Sequence, residues 1–464
     1  MGRVSDLRSV VIGGGAAGLF TAHRLLSRGV RVTVCEAGPV SGGLLGYLQV
    51  GDTWIERFYH HFFRTDTFLL NTLAYLGIEA ESRITKTGFV GPGSTPIREF
   101  SAPQHLLTYP GMSALDRISL LAVLARVSAS WFRWGGDVAP LDDVTIEQWM
   151  SQFGGARAYK AFFEPLVRKK FGADTPRISA AWMVGRLGMR AGRTHEGEKL
   201  FYPAGSYHNL ITRLEADIVR RGGAIRTGEA VTGLQHTAGR ISGVTTASGE
   251  QLPADLVVST ISPRHQAALM RTGGFEGPAR AMDKIPYQGA IVVLLGLERS
   301  LSDFYWINVM DPDAPFGAII EHTRFRPVED FGGPTVYLAA YPDPGDPLWD
   351  ATDEEIVAHF QEHLSRVMPE SMKGNGLRWS EVSRTRLAGL LYHAGLKRLL
   401  PEWKSEIPGL WITGMLRCYP KRPIDLIGAE ACACADLAVA ELRGEKAPRW
   451  TERVLPTSLL PRPA

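Results

Sequence analysis

Ten residues near the N-terminus constrain this chain more than any others: Val10-Val11-Ile12-Gly13-Gly14-Gly15-Ala16-Ala17-Gly18-Leu19. They carry G-x-G-x-x-G between a β-branched run and a helical pattern, Ala16 to Arg28, which Gly29 stops. A second β-rich run, Val30 to Cys35, ends at Glu36. The roles follow from position. Gly13 permits the tight turn, Gly15 lets backbone approach a pyrophosphate, and Gly18 lets the helix pack on the strand. The helix N-terminus, with Ala16 and Ala17 in its first turn, offers free N–H groups and a positive dipole. Glu36 can accept hydrogen bonds from a ribose hydroxyl and would repel a 2′-phosphate. The expectation is one βαβ unit that binds a dinucleotide.

Flavin and nicotinamide dinucleotides both use such a unit. The segment after Glu36 separates them: Ala37-Gly38-Pro39-Val40-Ser41-Gly42-Gly43-Leu44. Its Gly42-Gly43 pair resembles the extended motif of the glutathione-reductase-2 flavoproteins, which include amine oxidases and protoporphyrinogen oxidases. In that group the second glycine pair passes close to the FAD pyrophosphate and flavin, so Ala37, Gly42, Gly43 and Leu44 become candidate FAD contacts.

The resemblance runs on along the chain. Tyr202-Pro203-Ala204-Gly205-Ser206 resembles the family's Pro-x-Gly-Gly-x segment, with Ser206 in place of the second glycine. Ala230 to Leu234 resembles the strand that holds the adenine end through Val231. Ala254 to Thr260 resembles the strand returning to the FAD domain. Pro408 to Met415 resembles the last strand of that domain, with Gly414 after it. Tyr419 to Asp425 then sits where the family has a flavin-facing turn, which makes Arg422 and Asp425 candidate contacts. The family's glycine near 431 is Ala431 here, and Gly428 comes earlier. Residues 163–172 and 178–182 resemble the helical part of the substrate domain in protoporphyrinogen-oxidase-like proteins.

The fold class implied is α/β: a Rossmann-like FAD-binding domain with a discontinuous mixed α+β substrate domain. The expected division gives 1–75, 200–285 and 400–464 to FAD, and 76–199 and 286–399 to the substrate. By pattern, 66–200 reads as mainly helical, with helices over 68–76, 113–134, 145–153 and 157–171 and caps at Asp66 and Ser113. Strands are expected at 290–297, 305–309, 318–321, 335–341 and 410–413, and helices over 353–368 and 429–442.

Phe58-Tyr59-His60-His61-Phe62-Phe63-Arg64-Thr65 is the most unusual run. Two adjacent histidines among aromatics are costly to bury without partners. The resemblance places the run beside the isoalloxazine ring, with His60 as a cofactor contact and His61 as a proton carrier. It also resembles the Tyr-Gly-Pro-His-x-Phe-His-Thr run of UDP-galactopyranose mutases, with Arg64 at the second histidine. Core histidines bonded to backbone are the plainer alternative. Tyr392, in the stretch that borders the family's substrate pocket, is the second catalytic candidate, as an aromatic wall or hydrogen donor. Arg168, Lys169, Lys170, Arg177, Arg186, Arg190 and Arg193 suit an anionic substrate, or form a solvated helix face.

Several classes are excluded or left open. A net charge of +3 gives no nucleic-acid footprint. The four cysteines, Cys35, Cys418, Cys432 and Cys434, lack metal spacing. They read as reduced, buried thiols, which fits a cytoplasmic site. No metal site is expected. No transmembrane segment is expected either: the run from Ile118 to Trp134 is interrupted by Arg126 and Arg133 and reads as an amphipathic helix, with peripheral membrane contact left open.

Three functions remain in view. The first is an FAD-dependent oxidase or dehydrogenase that removes a hydride from a small organic substrate to flavin N5. The second is a non-redox mutase or isomerase of the UDP-galactopyranose mutase type. The third is a flavin-binding protein without catalysis.

Overall fold

The computed structural model describes residues 7–91, 96–101, 105, 112–133, 137–188, 197–420, 423–451 and 455–460. Its organising element is a parallel five-stranded sheet. The order across it is Ala224–Arg226, Arg31–Cys35, Arg8–Ile12, Leu256–Ser259 and Leu410–Ile412. These strands come from four distant stretches of sequence, so the sheet closes only when the ends of the chain meet. The strand Leu256–Ser259 is wholly buried, as a parallel strand covered on both faces must be. The helix Ala16–Ser27 packs against the helix Ile424–Arg443 on one side of the sheet.

A second, seven-stranded sheet runs Leu377–Leu390, Tyr287–Leu297, Thr335–Ala340, Ala318–Glu321, Trp306–Val309, Thr87–Val90 and Arg98–Glu99. It is antiparallel except where Trp306–Val309 meets Thr87–Val90. Tyr287–Leu297 lies second from the edge, paired on both sides, and is buried along nearly its whole length, matching its continuous apolar sequence. Smaller sheets link the layers: Tyr47–Val50 with Thr53–Glu56, and Phe62–Phe63 with Glu198–Pro203 and Ala80–Thr85.

The expectation of a mainly helical 66–200 is corrected at its start, where Ala80–Thr85 and Thr87–Val90 are strands. Short alternating segments such as these acquire strand character from their partners, not from local pattern. The 14-residue strand Leu377–Leu390 was not expected either. Its sequence is polar because it stands at the sheet edge, with only its last three residues fully buried in a row. The helix expected over 157–171 is interrupted by a π-helical turn at Tyr159–Phe163, between Ala156–Ala158 and Glu164–Phe171.

The cap at Ser113 forms: its hydroxyl accepts from Asp116 N (3.2 Å), while Asp116 Oδ2 accepts from Ser113 N (2.9 Å). Asp66 precedes the helix Thr67–Tyr75, but its carboxylate accepts from Phe63 N (3.0 Å) and leaves the helix amides alone.

Candidate functional site

The strand Arg8–Ile12 ends at Gly13, whose φ of +101° lies in the region that favours glycine. Gly13 N donates to Cys35 O at 2.8 Å, which ties the turn to the neighbouring strand. A Cβ on Gly18 would lie 1.8 Å from Gly13 O, so only glycine lets the helix sit this close. The helix Ala16–Ser27 begins at Gly15 with no side-chain cap and no acidic residue in its first turn. Its first amides therefore have no intrahelical acceptor, and its dipole meets no carboxylate of its own.

The two glycine segments come together here. Gly42 N donates to Gly14 O (3.0 Å), and Gly15 and Gly42 form a parallel bridge. A Cβ on Gly43 would approach Gly15 Cα to 3.2 Å. Leu44 lies half-buried in the single turn Gly43–Leu45 that follows. Glu36 holds the loops in place: Oε2 accepts from Gly14 N (2.6 Å) and Oε1 from Gly38 N (2.7 Å). Each oxygen keeps a second lone pair for another donor. Ala37 is exposed beside it.

From far along the chain, Gly228 N donates to Gly38 O (2.6 Å) and Glu229 N to Glu36 O (2.9 Å), which brings Val231 alongside. Gly414, with φ +84°, closes the other side: a Cβ there would stand 3.1 Å from Ala17 Cβ. Two hydroxyls next to these glycines, Ser41 Oγ and Thr413 Oγ1, are buried with no hydrogen-bond partner among the described residues. Buried polar atoms are ordinarily satisfied, so a cleft lined with open amides and lone hydroxyls fits a polyphosphate ligand. Ser41 and Thr413 were not singled out from sequence. Their one signal is that each immediately precedes a glycine of the site.

Arg422 lies outside the described residues. Asp425 does something the sequence did not show: its carboxylate accepts from Leu69 N (2.9 Å) and so caps the helix Thr67–Tyr75. Burial pushes its pKa up to about 6. Gly428 serves the same junction, since a Cβ there would meet the Phe68 ring at 2.2 Å. Ser206 takes φ +71°, so the serine adopts the left-handed backbone that its glycine counterpart would hold freely.

The aromatic run lies where the two large sheets approach. His60 Nδ1 donates to Phe58 O (2.5 Å), and His61 Nδ1 bonds the Tyr305 hydroxyl (3.1 Å). Tyr59 and Tyr341 share a 2.7 Å hydroxyl–hydroxyl bond, and Lys170 Nζ stands 4.0 Å from the centroid of the Tyr341 ring. Tyr287 OH donates to Sδ of Met415, the residue after Gly414 (3.1 Å).

Tyr287, Tyr341 and Lys170 line one cavity of about 370 Å³, with Phe171, Trp349 and Leu391. Tyr392 does not line it. The ring is 2 % exposed, with its centroid 6.1 Å from that of Tyr419. The backbone of Tyr392 is tied to Ser179 (2.8 Å), so the side chain turns into the core and the preceding Leu391 faces the cavity. Tyr392, expected as an aromatic wall or hydrogen donor, thus has its ring outside this cavity.

The basic cluster disperses. Arg168 pairs with Glu164 (2.7 Å), Lys169 Nζ donates to the carbonyls of Pro312 (3.1 Å) and Ala314 (2.6 Å), and Arg177 pairs with Asp174 (3.3 Å). Arg190 and Arg193 lie outside the described residues. Lys170 alone of this group reaches the 370 Å³ cavity. Among the described residues no group of three His, Cys, Asp or Glu side chains could hold a metal ion.

A carboxylate that sequence reasoning missed joins the antiparallel sheet to the strand Glu198–Pro203 and the helix Ser206–Arg220. Glu56 is fully buried; its Oε2 accepts from Tyr202 OH (2.5 Å) and its Oε1 from Tyr207 N (2.7 Å), while its carbonyl accepts from Tyr337 OH (2.7 Å). Burial pushes its pKa up to about 7 against the pull of those donors. Nothing in its local sequence signals this, because all its partners come from elsewhere in the chain.

A parallel sheet with glycine loops at the carboxyl ends of its strands, joined to an antiparallel sheet over a cavity, defines a two-layer dinucleotide-binding protein. Residues 16–425 match the family described as flavin containing amine oxidoreductase, and the chain belongs to it. A zeta-carotene desaturase of Arabidopsis thaliana is 23% identical over 458 residues, covering 88% of this chain and 80% of that one. A provisionally assigned protoporphyrinogen oxidase from Exiguobacterium sp. 255-15 superposes with a TM-score of 0.74 at 16% identity, over 94% of this chain and 99% of that one. A reduced UDP-galactopyranose mutase gives 0.68 at 15% identity, over 94% and 96%. The protein is therefore an FAD-dependent oxidoreductase that catalyses two-electron dehydrogenation, and the mutase reading is less supported.

Proposed function

We propose that the 370 Å³ cavity takes the substrate, a small organic molecule oxidised at a C–H bond next to nitrogen, oxygen or an activated carbon. One observation carries this reading. The cavity is lined by two tyrosines whose hydroxyls reach the segments expected beside the flavin: Tyr341 bonds Tyr59, and Tyr287 bonds Met415. FAD held by these residues would supply the hydride acceptor for the two electrons and one proton, the second proton going to a base or to solvent.

The chain's own residues bind and orient. Gly13, Gly15, Ala16, Ala17 and Gly18 present backbone to the pyrophosphate, and Glu36 accepts from the ribose. Ala37, Gly42, Gly43, Leu44, Val231 and Gly414 line the rest, with His60 at the ring. His61, whose Nδ1 bonds the Tyr305 hydroxyl, is the proton carrier of this reading. Phe171, Trp349 and Leu391 exclude water from the cavity. On this reading 1–75, 200–285 and 400–464 hold the cofactor, and 76–199 and 286–399 the substrate. The four cysteines are free and buried, which supports work in a reducing, cytoplasmic setting. Among the described residues no helix is long and apolar enough to cross a membrane.

The test is anaerobic bleaching of the flavin spectrum by a panel of amines, alcohols and cyclic compounds with activated C–H bonds. The expected result is bleaching by at least one, with a matched loss in a Tyr341→Trp variant that fills the cavity. Turnover only after prior reduction, with no net oxidation, would sink the reading.

A further inference from the structure

The 370 Å³ cavity lies where two strands fall out of register. Gln288 of the strand Tyr287–Leu297 pairs with Gly389, but Ala290 pairs with Thr385, so the neighbouring strand bulges out over Arg386, Leu387 and Ala388. In a regular strand successive side chains point to opposite faces. Here Tyr287, Gln288 and Gly289 all line the cavity, as do Arg386 and Leu387 across from them. A bulge re-aims side chains in this way. Gly289 leaves room for the wall, since a Cβ there would meet the Trp349 ring at 2.4 Å.

Gln288 is 9 % exposed, and half of its amide is unused. Nε2 donates to the Lys170 carbonyl (3.4 Å), which can only accept and so fixes the nitrogen on that side. Oε1 is buried with no hydrogen-bond partner among the described residues. It is the one such atom there that belongs to a residue lining this cavity. Two donors of the wall point elsewhere: Trp349 Nε1 to Asp343 O (2.9 Å) and Tyr287 OH to Met415 Sδ (3.1 Å). Buried acceptors are ordinarily satisfied, and one left open is costly. An open acceptor on a residue of a cavity wall fits a donor that arrives with the ligand.

We propose that Gln288 selects the substrate: its side-chain carbonyl accepts a hydrogen bond from an N–H or O–H group, so the cavity takes an amine or an alcohol over a hydrocarbon of the same shape. This role rests on the cavity being the substrate site and narrows the choice of substrate. A C–H bond activated by carbon alone, with no donor near it, leaves Oε1 unmet. A site built around a hydrogen bond rejects the analogue that lacks the donor, because its own buried polar group then stays unpaired.

The test uses the FAD-loaded protein and three compounds of one shape: benzyl alcohol, benzylamine and ethylbenzene. Each is titrated calorimetrically in the absence of air. The alcohol, the amine or both should bind more tightly than ethylbenzene by about tenfold or more, and whichever does so names the donor. Gln288→Leu should erase that preference with FAD content and melting temperature held. Should leucine disturb the sheet, Gln288→Met should give the same loss. A preference that survives these substitutions would overturn the role of Gln288 and leave the cavity as the substrate site, as would equal binding of the three compounds by the unaltered protein. Binding that persists in Tyr341→Trp, which fills the cavity, would overturn the site and the role together, as would no binding by any of the three.

Discussion

The proposed nucleotide end and the proposed substrate end of this protein are built from opposite materials. Around Gly13, Gly18, Gly42, Gly43 and Gly414 the site is made by removing side chains, so that backbone meets backbone. Around Tyr287, Tyr341, Lys170 and Trp349 it is made by large side chains leaning across a gap. The first solution suits a ligand that never changes. Phosphates ask for N–H groups and positive dipole, and any Cβ is an obstruction. The second suits a substrate, because a wall of side chains can be altered without moving the sheet behind it. The boundary between them is marked by Glu56, whose hydrogen bonds join Tyr202 and Tyr207 to Tyr337 of the antiparallel sheet.

The contrast can be broken most forcefully at Gly18. Gly18→Val places carbon where Gly13 O already is, and we expect a loss of about 3 kcal/mol or more of stability. Thermal melting and flavin content should fall together; a variant that keeps its FAD would show that the backbone packing is not what makes the site.

Glu36→Ala removes the acceptor of two loop amides as well as that offered to the ribose. Weakened FAD binding by about 2 kcal/mol, roughly thirtyfold, is expected. Titration of the apoprotein with FAD measures it, and an unchanged affinity would place the nucleotide elsewhere.

Glu56 sharpens the boundary through pH. Its folded pKa of about 7 lies above the usual carboxylate value. The folded state therefore keeps a proton that the unfolded chain has released, so this contribution is complete below the unfolded pKa and is lost as pH rises through 7. The buried histidines His23 and His322 are held near 4 and 3 by burial. They act in the opposite sense, raising stability as pH climbs from their folded values through the unfolded histidine value of 6.5. Between pH 6.5 and 8 we expect the wild-type protein to lose about 1 kcal/mol of stability relative to Glu56→Gln, which lacks this titration. Denaturant unfolding across that window decides it; a slope identical in the variant would assign the effect to another group.

Ser206→Gly relieves a left-handed serine at the mouth of the helix Ser206–Arg220. A gain of about 0.5–1 kcal/mol is expected, read as a higher melting temperature at constant FAD affinity. At the cavity end the smallest effect is expected: Tyr341→Phe breaks the hydroxyl bond to Tyr59 but keeps the ring. Once a substrate is found, its KM should rise about threefold, near 0.6 kcal/mol, with FAD affinity unmoved. A variant that loses FAD instead would show that the two ends are not separable.

The sequence made one end of this molecule far more legible than the other. Gly13, Gly15, Gly18 and Glu36 lie within a single βαβ unit, where spacing alone dictates geometry, and a tight turn or a close helix has few residue types that can make it. The same holds for Gly42 and for the strand that ends at Ser259. The direction of Tyr392 was not legible, because a residue at the end of a strand points either to cavity or to core, and only the tie between its backbone and Ser179 chooses. Asp425 was read by its place in a motif, yet its carboxylate caps a helix more than 350 residues away in sequence.

The amino-acid sequence by itself determined the glycine loops on which the proposed dinucleotide site rests, since that requirement is local and steric. Only the tertiary structure decided which tyrosines face the cavity and that Glu56 is buried among Tyr202, Tyr207 and Tyr337. Those outcomes depend on contacts between distant segments, whose energies no local pattern carries.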